Sequence, residues 1–152
     1  MVRDTEMAWL AGLIDGEGSV GITLSAQGVL TPQLQIAMTC ERTIQAALDI
    51  VTRLGLQGAR YVYQQRDPRH QCVHHLHVAR MVDVHRLVVA VQPYSVTKQG
   101  QITAVAEFTA SRLECRGIDA QGRIRRGGRT RAYTERERAL HGHLRGLNRR
   151  GA

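Results

Sequence analysis

The stretch Leu10-Ala11-Gly12-Leu13-Ile14-Asp15-Gly16-Glu17-Gly18 decides the fold, because it carries an apolar, small-residue helix to an acidic, glycine-flanked end. At about 100° per residue, Met7, Leu10, Leu13 and Ile14 fall on one side of that helix and Ala8, Ala11, Gly12 and Asp15 on the other. The large side suits packing on its own domain. The small side lets another backbone come close, since tiny side chains at a crossing shorten the distance between helices. Gly16 and Gly18 are expected to stop the helix, as glycine reaches backbone conformations closed to other residues. Glu17 is then held in a tight turn, where a fixed carboxylate suits a hard metal ion. An ordinary buried helix with a glycine stop has the same spacing, and the pattern alone leaves both readings open.

The composition narrows the partner. A chain of 152 residues suits one compact domain with an appendage. Its 21 Lys and Arg against 13 Asp and Glu give a formal charge of +8, and the sequence pI is near 10.4. That charge favours a polyanion, nucleic acid first. An anionic membrane is the other choice, but no long apolar span, signal-peptide pattern or lipidation site supports it. The expectation is a soluble intracellular protein, in cytoplasm or organelle matrix, with no membrane partner. Cys40, Cys72 and Cys115 are odd in number and scattered, so reduced thiols are expected rather than a disulfide framework.

Downstream of the opening helix, which Asp4 or Thr5 can cap, the apolar period changes to two. Val20, Ile22, Leu24 and Ala26 alternate with Ser19, Gly21, Thr23, Ser25 and Gln27, which predicts a half-buried strand. Leu34, Ile36 and Met38 alternate with Gln33, Gln35 and Ala37 as its hairpin partner. Thr39 can cap a helix reaching Leu54. A second hairpin follows over residues 60–66 and 72–79, then helical segments over 82–91 and 98–113. Strand pairs without crossover helices between them predict an α+β fold with an antiparallel sheet, one face under helices and one free. Residues 116–131 are rich in arginine and glycine and read as a basic connector. Thr134-Glu135-Arg136-Glu137 is a capping-box sequence opening a last helix, whose Leu140, Leu144 and Leu147 form a narrow stripe suited to the core of its own subunit. The expected division is residues 1–115 as the main domain and 116–152 as basic linker and C-terminal helix.

The outward strand positions suit a nucleic acid. Gly21, Thr23, Ser25, Gln27, Gln33 and Gln35 on the first hairpin are short or amide side chains that can match base edges. Tyr61, Tyr63, Gln65, His75 and His77 on the second, with Arg66 and Arg69 near its turn, extend the same surface. A solvated sheet face is also polar, but this one is rich in Gln, Tyr and His and poor in Lys and Glu. The cluster of His70, Cys72, His74, His75 and His77 invites a zinc reading. Alternation splits it between two faces, and no second ligand pair follows at finger spacing, so DNA contact by His75 and His77 is preferred.

The nonapeptide resembles the motif of the LAGLIDADG homing endonucleases, from which it differs by Gly16 for Ala and Glu17 for Asp. The resemblance implies an αββαββα order and a saddle-shaped antiparallel sheet lying along double-stranded DNA. Because the motif occurs once, it implies a homodimer whose motif helices cross at a two-fold axis, here through Ala8, Ala11, Gly12 and Asp15. Glu17 would bind the catalytic metal, Mg²⁺ or Mn²⁺, with the Gly16 carbonyl as a further ligand. Two such sites would make a staggered double-strand break in a long pseudo-palindromic target.

Two further segments bear on that resemblance. Gln92-Pro93-Tyr94 followed by Lys98-Gln99-Gly100-Gln101 is similar to a run in single-motif members, where the lysine lies by the active site. Lys98 is also the single lysine among 21 basic residues. At the position after the strand-ending threonine, where the family often has a polar residue organising water, this chain has Cys40, with Glu41 next. Cysteine is a weak partner for water, so either Glu41 takes the role or solvent does. The resemblance therefore implies a DNA endonuclease. One alternative is a cleavage-deficient nucleic-acid-binding relative, either a transcription regulator or a maturase acting on its own intron RNA. An intein fragment is the other, disfavoured because no splice-junction nucleophile stands at the first residue.

Overall fold

The computed structural model describes residues 1–116 and 131–150. Its elements run α1 (Asp4–Glu17), β1 (Gly18–Leu24), β2 (Leu30–Met38), α2 (Glu41–Arg53), β3 (Ala59–Tyr63), β4 (Val73–Val78), α3 (Met81–Val91), a 3₁₀ turn (Gln92–Tyr94), α4 (Gln99–Arg116) and α5 (Glu135–Arg150). The four strands form one antiparallel sheet in the order β1-β2-β4-β3, so the two hairpins meet through β2 and β4. This is the α+β order expected from the change of period.

Register assigns the faces. Val20 pairs with Leu34, Ile36 with Leu76, and Leu34 with Val78, and all of these side chains are buried. Under them pack α1, α2 and α3, through residues such as Leu10, Ile14, Ile44, Val51, Leu87 and Val91. Fully burying an aliphatic side chain of this size is worth about 1.5–3 kcal/mol, so this layer fixes which sheet face is left open. A one-residue slip would put these side chains in water. Against β1 pack α4 and α5; Leu140 and Leu144 of α5 enter the same core.

The element ends depart from the sequence reading in informative ways. The first strand stops at Leu24 because residues 25–28 form a turn: the Ser25 N–H donates to the Val29 carbonyl at 2.9 Å, and Gly28 has φ +78°. At the start of α2 the cap is Cys40, one residue later than Thr39. Arg3, rather than Asp4 or Thr5, precedes α1, and the Glu6 carboxylate accepts the Arg3 backbone N–H at 2.9 Å. The Arg53 guanidinium beside Glu6, aided by that N–H, holds its carboxyl at about 2 and clasps α1 to α2. The capping box of α5 forms as its sequence predicts: Glu137 N–H donates to Thr134 Oγ1 at 3.1 Å and Thr134 N–H to Glu137 Oε2 at 3.0 Å.

A buried charge pair fastens α5. Arg112 and Glu137 are 1% and 0% exposed and 3.3 Å apart. Glu137 also accepts from the Ser111 hydroxyl at 2.6 Å, and the Arg112 guanidinium lies over the Tyr133 ring at 4.5 Å. Tyr133 in turn accepts the Leu30 N–H at 2.9 Å, tying this cluster to β2. Most of the Arg- and Gly-rich connector read from the sequence lies outside the described residues.

Candidate active site and nucleic-acid interface

The helix α1 runs into β1 without a loop: Glu17 is the last helical residue and Gly18 the first of the strand. Gly16 therefore lies inside the helix rather than ending it, and Glu17 occupies the last helical turn rather than a separate tight turn. Gly18 is extended, with φ −85° and ψ 158°, so a left-handed conformation is not what requires glycine here. Space is the reason. A Cβ at Gly18 would lie 2.6 Å from the Ile14 carbonyl oxygen.

The end of α1 and the start of α4 are tied by two residues. The Asp15 carboxylate accepts the Ser95 hydroxyl at 2.6 Å and the backbone N–H groups of Val96, Thr97 and Lys98 at 2.6, 3.1 and 3.0 Å. Burial pushes the Asp15 carboxyl up, but the Ser95 hydroxyl and those N–H groups outweigh it and hold it below the usual value. Lys98 Nζ donates to the Asp15 carbonyl at 2.6 Å. Since α1 has no basic residue in its last turn, Lys98 supplies the positive charge that a helix C-terminus favours.

A cleft of about 410 Å³ opens beside this junction, lined by Asp15, Gly16, Glu17, Gly18, Ser19, Thr97, Lys98, Gln101 and Asn148. Glu17 and Lys98 thus share one cavity. The Glu17 carboxylate is exposed and has no hydrogen-bond or ion-pair partner among the described residues. Gln101, one helical turn after Lys98 on α4, belongs to the run quoted for Lys98 but carries no role in the sequence reading, and Thr97 and Asn148 are not singled out there. Asn148 could not have been, because only the docking of α5 brings it to β1, where its Nδ2 donates to the Val20 carbonyl at 3.4 Å.

Other expected site residues are placed elsewhere. Cys40 and Glu41 do not line the cleft. Cys40 is exposed at the start of α2, where the Thr43 hydroxyl donates to its Sγ at 3.2 Å and, with the Thr43 N–H, holds the thiol below its usual value. Glu41 pairs with Arg60 of β3. Of the four residues assigned to a helix crossing, Ala8 and Gly12 are exposed, whereas Ala11 is fully buried in the chain's own core and Asp15 is engaged within its own chain. Trp9 (42% exposed) is a larger residue on the outer side of the same helix.

The open face of the sheet gathers much of the expected polar surface. Thr23 on β1, Gln33 and Gln35 on β2, His75 and His77 on β4 and Tyr61 and Tyr63 on β3 fall on one face by register. Gly21 shares that face but is buried, with the Asn148 amide 3.3 Å from where its Cβ would be. Ser25 and Gln27 lie in the turn after β1, and the Ser25 hydroxyl accepts the Val29 N–H at 3.1 Å. In the segment between β3 and β4, Gln65 Oε1 pairs with His70 Nδ1 at 3.0 Å, Arg69 pairs with Asp67 at 2.7 Å, and Arg66 is exposed. His74 falls on the opposite face from His75 and His77, and Cys72 donates to Gln64 Oε1 at 2.7 Å.

Among the described residues, no helix is long and apolar enough to cross a membrane. No family model matches the chain, and no curated protein matches it. Solved structures do. The homing endonuclease I-CvuI, in complex with the I-CreI target in the presence of Mg with the DNA not cleaved, is 19% identical over 92% of this chain and 94% of that one, with a TM-score of 0.54. The I-SmaMI LAGLIDADG homing endonuclease bound to cleaved DNA is 12% identical over 92% of this chain and 48% of that one, with a TM-score of 0.57. The group I intron-encoded homing endonuclease I-CeuI complexed with DNA is 15% identical over 72% of this chain and 56% of that one, with a TM-score of 0.53. With the nonapeptide forming the latter part of α1 and the first residue of β1, the chain has the fold of the LAGLIDADG homing endonucleases.

Proposed function

We propose that this chain is a single-motif LAGLIDADG homing endonuclease. Two copies would read a long pseudo-palindromic duplex with their sheets and make a staggered double-strand break by divalent-metal-dependent hydrolysis. The observation that carries this reading is the meeting of Glu17 and Lys98 in one cleft, at the end of the motif helix where the polar sheet face begins. The similar solved structures of I-CvuI, I-SmaMI and I-CeuI with DNA support the partner. The single motif supports the homodimer.

The donor set suits Mg²⁺ or Mn²⁺. Among the described residues there is no group of three or more His, Cys, Asp or Glu arranged around an ion, and the cleft offers the unpaired Glu17 carboxylate with the exposed Gly16 backbone beside it. Mg²⁺ keeps several waters and takes one or two carboxylates, so a sparse set fits it. Glu17 and the Gly16 carbonyl would hold the ion, which when bound supplies charge neutralisation at the phosphate and an activated water. The Lys98 ammonium, fixed by the Asp15 carbonyl, adds positive charge where a scissile phosphate would enter. The Gln101 and Asn148 amides can hydrogen-bond phosphate oxygens or water in the same cleft. The sheet, through Thr23, Gln33, Gln35, Tyr61 and Tyr63, positions base edges, and arginines such as Arg66 reach phosphates.

A second reading, a DNA- or RNA-binding relative without cleavage, is favoured by the placement of Cys40 and Glu41 outside the cleft. One experiment separates the two. The protein is incubated with a randomised duplex library and Mg²⁺, and both bound and cut products are sequenced. A recurrent site cut on both strands is expected; a sequence that is enriched and never cut supports the binding protein, and no enrichment sinks both.

A further inference from the structure

Gln101 is buried on the wall of the cleft that holds Glu17 and Lys98, only 9% exposed, and no group among the described residues hydrogen-bonds its side-chain amide. The described side-chain atoms sealed off without a partner are His74 Nδ1, Asp83 Oδ2 and Arg112 Nε. The Gln101 amide is not one of them, so what opening it keeps is into the cleft.

Its place on α4 explains why it has no partner. The Lys98 carbonyl accepts the Ile102 N–H at 2.9 Å, which makes Lys98 the cap of α4 and Gln101 its third helical residue. A glutamine at that position ordinarily turns back and accepts the cap residue's own N–H. The Asp15 carboxylate has taken that N–H at 3.0 Å, so Gln101 has no capping bond left to make. Gln99 shows the contrast, since its amide donates to the Gln92 and Ser95 carbonyls at 2.8 and 3.2 Å. Leu147 of α5 comes within 3.3 Å of where a Gly100 Cβ would stand, so α5 closes over the start of α4 beside Gln101. Asn148, the other amide in the cleft, is exposed and donates to the Val20 carbonyl at 3.4 Å.

Burying an amide without a partner costs free energy, and in a cleft that cost is offset by whatever enters. So small an opening admits a water molecule and not a sugar–phosphate chain. Glu17 and Lys98 carry the charge of the cleft, and a neutral amide suits a water because it can donate or accept whichever way it stands. Cys40, read from the sequence at the position that organises water, does not line the cleft. On the nuclease function proposed above, on which this inference rests, we infer that Gln101 is a further catalytic residue that holds the water attacking the scissile phosphorus. In this chain the start of α4, rather than the start of α2, supplies the polar group that organises water. The amide exchanges no proton. As the water oxygen bonds to phosphorus and the bond to the leaving sugar oxygen breaks, solvent takes up the water's proton and supplies one to the leaving oxygen.

The test is Gln101→Met, which keeps the length and volume of the side chain and removes its hydrogen bonds. Wild type and variant are compared in three measurements: melting without metal or DNA, affinity in Ca²⁺ for a duplex selected by the wild type from a randomised library, and single-turnover cleavage of that duplex in Mg²⁺. Melting is expected within about 2 °C of wild type or above it, because an unpartnered amide is exchanged for an apolar group of the same shape. Affinity should stay within about twofold. Cleavage should slow by roughly tenfold to a hundredfold, the scale of one lost contact to reacting atoms.

Cleavage at the wild-type rate overturns the assignment. So does a melting temperature lower by more than about 4 °C, which makes the amide a structural group. A loss of affinity as large as the loss of rate overturns it too, by placing the amide on DNA rather than on water. A wild-type protein that selects no duplex, or cuts none, removes the nuclease function and this assignment with it. Wild-type cutting that Gln101→Met equals removes the assignment alone.

Discussion

Asp15 and Lys98 cap each other's helices: the Asp15 carboxylate accepts the Lys98 backbone N–H at 3.0 Å where α4 begins, and the Lys98 ammonium donates to the Asp15 carbonyl at 2.6 Å where α1 ends. The end of the motif helix and the start of α4 are therefore one electrostatic unit. Asp15→Ala strands the Ser95 hydroxyl and three N–H groups, and should lower stability by about 2 kcal/mol in thermal or urea unfolding. A loss below about 0.5 kcal/mol would show that solvent replaces the carboxylate without cost.

The two cleft groups should separate kinetically. Glu17→Gln is expected to keep specific duplex binding and abolish Mg²⁺-dependent cutting, since an amide is a poor ligand for the ion. Lys98→Met should lower stability by about 0.5–1 kcal/mol, the scale of a charge lost from a helix end, and slow single-turnover cleavage by roughly tenfold to a hundredfold, the scale of one lost electrostatic contact in a transition state. Cutting by Glu17→Gln at the wild-type rate removes Glu17 from the chemistry.

Gly12 offers a clean test of assembly. Beyond its own helix backbone, no atom of the described residues lies within 4 Å of a Cβ built there, so a larger side chain is accommodated by the single chain and even favours its helix. Gly12→Arg should melt like wild type, yet halve the mass measured by light scattering and lose double-strand cutting. A dimer that persists unchanged would place the interface elsewhere.

The buried pair of Arg112 and Glu137 predicts an acid-sensitive attachment of α5. Burial acts to raise the Glu137 carboxyl, but the Ser111 hydroxyl, the Thr134 N–H and the Arg112 charge outweigh it and hold it below the usual glutamate value. The carboxylate's stabilisation is thus fully present above about 4.5 and fades as pH falls through the folded value. Glu137→Gln leaves Arg112 buried without a counter-charge and should cost about 3 kcal/mol near neutral pH. Below the folded value the variant and wild type should converge, which melting curves across that window will check.

Legibility followed range. The fold was readable because α1 and the strands write their burial into neighbouring residues: Val20, Ile22, Leu34 and Ile36 alternate as they pack. Glu17 and Lys98 were readable through local motif residues. Asn148 and the covering of Gly21 were not, since α5 reaches β1 from 128 positions away along the chain. Ala11, assigned to a helix crossing, is buried in the chain's own core, because small residues suit both a tight crossing and a tight core and helical spacing does not distinguish the two. The partners of Glu41 and Asp15, Arg60 and the start of α4, likewise come from other elements.

The direct passage from Glu17 into Gly18 limits how this protein can vary in length. With no connector between α1 and β1, a single residue inserted in the last turn of the helix would swing Glu17 by about 100° and invert the facing of every β1 side chain. The turn at residues 25–28 can absorb an added residue at far smaller cost. Length changes should therefore be tolerated at the hairpin tip and disruptive at this elbow, where even a lone Cβ at Gly18 would meet the Ile14 carbonyl oxygen at 2.6 Å.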